Sequence, residues 1–166
     1  MLTHILFQPS EVHLQERYRM SFRKKKATIM AFDDIKDKTY DAGSITYSII
    51  DLNEYGVNLE DALEDEESED FGEEDFIIWT IQHKKLLQKN LPFGGRVIFI
   101  QELDLNISLV TDDNLNLIFE ALFDEHNIYQ AFAAPDTLYP NPKANIKAYF
   151  KKHYWEALSS KYWMKL

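Results

Sequence analysis

The spacing at which apolar residues recur changes several times along the chain, and each spacing predicts either a strand or a helix. Residues 26–33 and 43–52 are rich in β-branched and aromatic side chains, and the polar stretch 34–41 lies between them. Runs of this composition are typical of strands, and two in succession most simply form an antiparallel hairpin. Residues 96–105 begin with an unbroken apolar run, which predicts a central strand that is buried on both faces.

A helical period appears in residues 76–89 and 114–126, where apolar side chains recur three and four positions apart. The sequence Thr111-Asp112-Asp113 is a capping signal for the second of them. Asn141-Pro142 opens a last helix, roughly over residues 143–158, with Pro142 near its first turn. Pro9 and Ser10 give a start for a further helix over residues 11–22, whose apolar stripe is narrow.

Short apolar segments predict strands over residues 1–8, 128–134 and 161–166. Because strands and helices alternate after residue 96, at least part of the sheet should pair in a parallel or mixed way. The chain has 166 residues, of which 45% are hydrophobic, enough for one ordinary core. We therefore predict an α/β (α+β) fold, with one domain over residues 1–166 and a mixed central sheet flanked by helices.

An acidic insert, residues 53–75, interrupts this pattern. Eleven of the 28 Asp and Glu residues lie between Glu60 and Asp75, so the remaining 17 face 18 Lys and Arg residues. Repulsion among like charges should keep the insert extended, mobile, or at best a frayed helix. It either acts as a solvated segment that favours solubility, or it steers and docks a basic protein surface. The candidate contacts for such a partner are Glu64, Asp65, Glu66, Glu67, Glu69 and Asp70.

Composition narrows the classes of function. The chain has no cysteine, so it forms no disulfide and has no thiolate nucleophile or metal ligand. The net charge of −10 disfavours direct binding to nucleic acid phosphates. The one feature of the sequence that would favour such binding is the basic cluster at residues 23–26. Residues 1–8 do not resemble a signal peptide, and apolar runs stay far shorter than a membrane span. We expect a cytoplasmic protein that does not bind membranes.

Metal chemistry has weak support in the pattern of residues. The five histidines are not paired at helical spacing, which argues against a zinc site. Asp33 and Asp34 together with Glu102 and Asp104 could bind a hard cation such as Mg²⁺, as in a metal-dependent hydrolase. Nothing in their spacing requires it, so we predict no metal.

Three segments resemble the GNAT fold of the acyl-CoA-dependent N-acetyltransferases. Residues 42–49 are similar to the family's G-x-I-x-y-x-I strand, and residues 96–105 to its central fourth strand, which a helix and a fifth strand follow. Residues 148–154 and 162–166 are similar to the family's Y-x-K-x-G-F helix and closing strand. The resemblance covers roughly residues 26–52 and 96–166, and it implies transfer of an acyl group from acetyl-CoA to an amine.

The resemblance also implies roles for individual residues. Glu102 and Asp104, which share one face of a strand, would supply the general base, and Tyr149 would be the general acid that protonates the leaving thiolate. The other interpretation is that the two carboxylates are solvent-facing strand residues and that Tyr149 is a core aromatic.

The chain departs from the family where CoA would bind. The family's Gly-rich loop holds the CoA pyrophosphate at a helix N-terminus, whereas residues 106–113 contain no Gly, Arg or Lys and end in Asp112 and Asp113. His153 stands at the family's glycine. We therefore favour a non-catalytic, GNAT-like acidic protein that docks a basic protein partner and needs no cofactor. An acetyl-CoA-dependent N-acyltransferase is the alternative.

Overall fold

A computed structural model describes residues 10–14, 22–51, 96–126 and 130–165. The acidic insert and the predicted helix over residues 76–89 lie outside these ranges, as does the predicted strand over residues 1–8. Within the described ranges the fold is of the mixed α/β type, as the sequence predicts. None of the helices there has the length and apolar character needed to cross a membrane.

The described strands form one seven-stranded sheet in the order β1-β2-β3-β4-β5-β7-β6. Neighbouring strands are antiparallel except β4 and β5, which are parallel and are joined by a helix. The sheet is therefore mixed, as the alternation after residue 96 predicts. The strands are β1 (Ser10–Leu14), β2 (Phe22–Asp33), β3 (Lys38–Asp51), β4 (Arg96–Leu105), β5 (Ala131–Ala133), β6 (Glu156–Ala157) and β7 (Trp163–Lys165).

Three α-helices follow β4 along the chain: α1 (Asp112–His126), α2 (Pro135–Leu138) and α3 (Ile146–Lys152). Thr111 caps α1, because its Oγ1 accepts a hydrogen bond from the backbone N–H of Asn114 at 3.2 Å. The Asn145 side chain caps α3 by accepting from the N–H of Ala148 at 3.0 Å. The predicted capping signal of α1 is thus confirmed.

The predicted hairpin of β2 and β3 is confirmed, but both strands are longer than predicted. β2 begins at Phe22, and the connection shrinks from residues 34–41 to the turn 34–37. The Asp33 carboxylate accepts hydrogen bonds from the N–H groups of the next residues of this turn, Ile35 and Lys36. Polar residues 38–41 join β3 because β2 offers them a continuous ladder of backbone partners.

Two predicted helices are wrong in their extent. Ser10 begins strand β1 and pairs with Lys26, so the predicted helix over residues 11–22 does not form at its start. Its narrow apolar stripe gave it little to bury, whereas pairing with β2 satisfies its backbone groups. Helix α3 ends at Lys152 and not at residue 158, because Tyr154 adopts a left-handed backbone with φ of 65°.

Buried apolar side chains of the sheet pack against α1 and α3 on one side, which we call the core face. β2, β3 and β4 contribute alternate residues to it, and the two helices contribute one stripe each. Its largest fully buried side chains include Tyr47, Phe150, Ile98, Ile100 and Ile118.

A β-bulge divides β4 into two halves with different environments. Ile100 pairs with Tyr47 and Glu102 with Thr46, so Gln101 is the extra residue. Residues 97–100 before it are buried on both faces, as predicted, whereas beyond it buried Leu103 alternates with exposed carboxylates. The bulge thus ends the fully buried part of the strand.

Gly43 allows β3 to approach β4 closely. Its φ is 150°, and a Cβ built on it would lie 1.9 Å from the carbonyl oxygen of Asp104. Only glycine fits such a position without a backbone shift.

Candidate functional site

Glu102 and Asp104 lie on the side of the sheet opposite the core face, and both are exposed. Each heads a row of polar cross-strand neighbours, since Glu102 pairs with Thr46 and Asp104 with Ser44. The rows continue onto β2 through Lys26 and Thr28 respectively. We call these six residues the polar patch. It is open to solvent at the carboxylates, which suits contact with a polar or basic group.

Tyr149 lies on the core face, in α3, and is only 4% exposed. Its hydroxyl donates a hydrogen bond to Oδ1 of Asn116 on α1 at 2.7 Å. Burial raises the pKa of the Tyr149 phenol well above its usual range, and the nearby charge of Asp112 adds to the effect. The phenol therefore remains protonated at neutral pH and acts as a donor.

The structure does not bring the three proposed catalytic residues together. Glu102 and Asp104 point away from the core face, whereas the Tyr149 ring is part of the core cluster and packs on Phe119 at 5.8 Å between centroids. Tyr149 instead belongs to a polar cluster where the first turns of α1 meet the end of α3.

Asp112 dominates the first turn of α1. Its Oδ2 accepts a hydrogen bond from Nζ of Lys152 at 2.9 Å and lies 3.9 Å from Nε2 of His153. The Lys152 hydrogen bond lowers the pKa of the Asp112 carboxyl, and the same bond raises the pKa of Lys152. A carboxylate also suits the positive end of the helix dipole. The anion at this helix N-terminus is thus supplied by the chain itself.

His153 links Asp112 to Tyr149. Its ring packs at a tilt of 31° against that of Tyr149, with 4.4 Å between centroids, and its backbone carbonyl accepts a hydrogen bond from the ammonium group of Lys165. We define the α1–α3 cluster as five residues from these two helices and the residue after them: Asp112, Asn116, Tyr149, Lys152 and His153.

Sequence reasoning found Asp112 and Tyr149 but missed their partners. Asn116 follows Asp112 by four residues, so helical spacing places both on one side of α1. Lys152 lies in the last turn of α3, where basic side chains are favoured. Those two signals could have marked Asn116 and Lys152 as residues near a helix end. They could not have shown that the two ends meet.

The four carboxylates considered for a hard cation do not converge. Asp104 is aligned with Ser44 and Ser44 with Thr28, which precedes Asp33 by five residues along β2. At about 3.3 Å per residue, Asp33 lies roughly 16 Å along the strand from the Asp104 row. Among the described residues, no group of three or more His, Asp and Glu side chains is placed to hold a metal.

The proposed partner-binding carboxylates, Glu64 to Asp70, lie outside the described residues. Comparisons of the whole chain with protein-family models, with curated proteins and with solved structures find no match. Function must therefore be argued from the residues themselves.

Proposed function

We propose that the chain is a GNAT-like α/β domain that binds a basic protein partner through the acidic insert and does not transfer acyl groups. The order of elements supports the GNAT-like part. A central strand, β4, is followed by helix α1 and by the parallel strand β5, and the chain then passes through helix α3 to the closing strand β7.

The ion pair between Asp112 and Lys152 carries the proposal. In the fold that the chain resembles, the first turn of this helix receives the CoA pyrophosphate on backbone N–H groups. Here the Asp112 carboxylate occupies that turn and holds Lys152, the cation nearest to it among the described residues, at 2.9 Å. A bound pyrophosphate would meet the carboxylates of Asp112 and Asp113, with no glycine to admit it. Like charges at such short range oppose binding.

The distribution of charge supports a basic partner. The run from Glu60 to Asp75 carries 11 carboxylates, and the rest of the chain is close to neutral. A local charge of this density raises the rate of encounter with a basic surface and makes the affinity fall as salt is added.

A labelled oligolysine peptide tests this by fluorescence anisotropy. The test variant changes six carboxylates of the insert to amides: Glu64, Asp65, Glu66, Glu67, Glu69 and Asp70. A matched control neutralises six exposed carboxylates of the described region: Asp34, Asp37, Asp113, Glu120, Asp124 and Glu156. Both variants change the net charge equally, so a difference between them reports position.

We expect the insert variant to bind at least about tenfold more weakly than the control variant. Equal weakening of both would mean that only the net charge matters, and the proposed site would be wrong. Circular dichroism of both variants checks that the fold is retained.

One observation favours the acyltransferase as a second candidate. The pairing of β4 with β5 covers only residues 98–100 of β4, and Pro135 then turns the chain away. The second half of β4 is therefore not paired with β5, and the resemblance places the acyl donor beside it. There Glu102 would accept the amine proton while the C–N bond forms. Because Tyr149 lies on the other side of the sheet, the thiolate released as the C–S bond breaks would take its proton from water.

Calorimetry with CoA and acetyl-CoA separates the two candidates. We expect no binding by the wild-type chain at millimolar ligand, and saturable binding would favour the enzyme instead. The double variant Asp112→Gly, Asp113→Arg should gain affinity for CoA, because it removes two carboxylates and restores a glycine and a cation. If this variant gains none, the loop is not placed as in the GNAT fold.

A further inference from the structure

Tyr154 has an uncommon backbone conformation for its residue type. Its φ of 65° lies in the left-handed region, which side chains other than glycine rarely adopt. It follows α3 at the point where the N–H of Trp155 donates to the carbonyl of Phe150 at 2.9 Å, and the rings of these two residues stack at 4.1 Å. This hydrogen bond and contact are those of a helix end that normally uses glycine.

The side chain of Tyr154 makes few contacts with the described residues. It is 85% exposed, and the described contact of its ring is the ammonium group of Lys165, 5.9 Å from the centroid. Glycine would relieve the backbone and, among the described contacts, would give up only this one. A strained, exposed aromatic residue with so few contacts points to a role outside the fold.

The segment that contains Tyr154 is rich in lysine, although the chain as a whole is acidic, and the carboxylates that act on its Lys152 are Asp112 and Asp113 of α1. Lys151 and Lys152 lie in the last turn of α3, and Lys152 is paired with Asp112. Lys165 bonds to a neutral carbonyl, so its charge is not neutralised there. Between residues 151 and 165 the sequence has four lysines and one carboxylate, Glu156.

We propose that Lys151, Tyr154 and Lys165 form a docking surface for a carboxylate-rich peptide segment of a protein partner. Tyrosine is enriched among the residues that dominate interface energies, because its rigid ring packs and its hydroxyl bonds. Lys165 lies beside the Tyr154 ring and Lys151 is exposed in the last turn of α3, and both supply complementary charge. A nucleic acid strand is disfavoured, since two cations on a chain of net charge −10 give little attraction for a phosphate backbone.

This surface has the opposite charge to the acidic insert, so its test stands apart from that of the proposed function. A labelled oligoglutamate peptide is titrated with the wild-type chain, with Tyr154→Gly, with Lys151→Gln/Lys165→Gln and with a control, Lys36→Gln, in the exposed β2–β3 turn. Labelled oligothymidylate is titrated in parallel.

We expect Tyr154→Gly to bind oligoglutamate about tenfold more weakly while its melting temperature rises by about 1–4 °C. A tyrosine with a purely structural role would not give loss of binding together with a gain in stability. The double lysine variant should also bind more weakly, and Lys36→Gln should bind as the wild type does.

Absence of oligoglutamate binding by the wild-type chain would overturn the proposal, as would wild-type affinity in Tyr154→Gly. Tighter binding of oligothymidylate than of oligoglutamate would assign the surface to nucleic acid and would overturn it equally.

Discussion

At the scale of single residues, the α1–α3 cluster shows how polar groups are held between two helix ends. Tyr149 is buried and Asn116 is partly buried, and the hydroxyl of Tyr149 donates a hydrogen bond to the side-chain oxygen of Asn116. Asp112 and Lys152 are more exposed and form an ion pair near solvent. The first pair should therefore matter more for stability than the second, since solvent weakens exposed ion pairs.

Tyr149→Phe should lower the free energy of unfolding by about 1 kcal/mol, the usual net value of one hydrogen bond. Because the pKa of Tyr149 is raised in the folded state, its contribution is present below pH 10.0, the ordinary value, and is lost above it. Denaturant titrations from pH 7 to 11 should show the wild type losing stability more steeply than Tyr149→Phe. Tyr40→Phe, an exposed tyrosine of β3, is the control, and parallel pH curves for wild type and Tyr149→Phe would contradict this.

The Asp112–Lys152 pair should show the opposite dependence on pH. The pKa of Asp112 is lowered in the folded state, so the pair stabilises the fold above the ordinary value of 3.8 and stops doing so as pH falls below it. A double-mutant cycle with Asp112→Asn and Lys152→Gln, measured at pH 7 and at pH 2, should find coupling only at pH 7. Added salt should reduce the coupling energy between Asp112 and Lys152 at pH 7. Equal coupling at both pH values would mean that charge is not its source.

At the scale of elements, the sequence predicted the strands and helices that depend on residues close together in the chain. The strand at residues 96–105 and the helix that follows it were predicted because a buried run and a capping threonine act over a few residues. β1 was missed because it depends on pairing with β2. The end of α3 was missed because its stop residue is a tyrosine where glycine is usual.

The α1–α3 cluster could not be predicted for a similar reason. Tyr149 and Asn116 are 33 residues apart in sequence, and Lys152 and Asp112 are 40 apart. Helical spacing relates residues within one helix, but it carries no information about which helix ends meet. Such contacts follow from the packing of both helices on one sheet face.

Gly43→Ala tests the close approach of β3 to β4. The added methyl group would overlap the Asp104 carbonyl and force an unfavourable φ, so we expect a loss of more than about 2 kcal/mol in unfolding free energy. Ser44→Ala, the next residue along the strand, should cost less than half as much. Thermal unfolding of both variants makes the comparison, and similar losses would indicate that β3 can shift to make room.

At the scale of the whole molecule, charge is separated along the chain rather than mixed. The acidic insert carries the excess of negative charge, while the last part of the chain is rich in lysine. Such a molecule presents different signs to different partners. Its behaviour in solution should therefore respond strongly to salt.

Deleting residues 60–75 changes the net charge from −10 to +1. Because the like charges of this segment give it little apolar surface to bury, the melting temperature of the shortened chain should stay within a few degrees of the wild type. Differential scanning calorimetry measures it. A large drop would contradict this prediction. The oligolysine titration would then be carried out with the six-carboxylate amide variant and not with the deletion.

The bulge at Gln101 determines which residues of β4 face the core. Residues before and after it obey opposite odd–even rules, so the strand can bury four side chains in succession and still turn Glu102 and Asp104 outward. Deleting Gln101 would therefore join the two halves of β4 in regular alternation, because Ile100 and Glu102 already pair with neighbouring residues of β3. Leu103 and Leu105 would still face the core, and the two carboxylates would still face outward. The bulge thus absorbs one residue of the sequence without exchanging the environments of the residues that follow it.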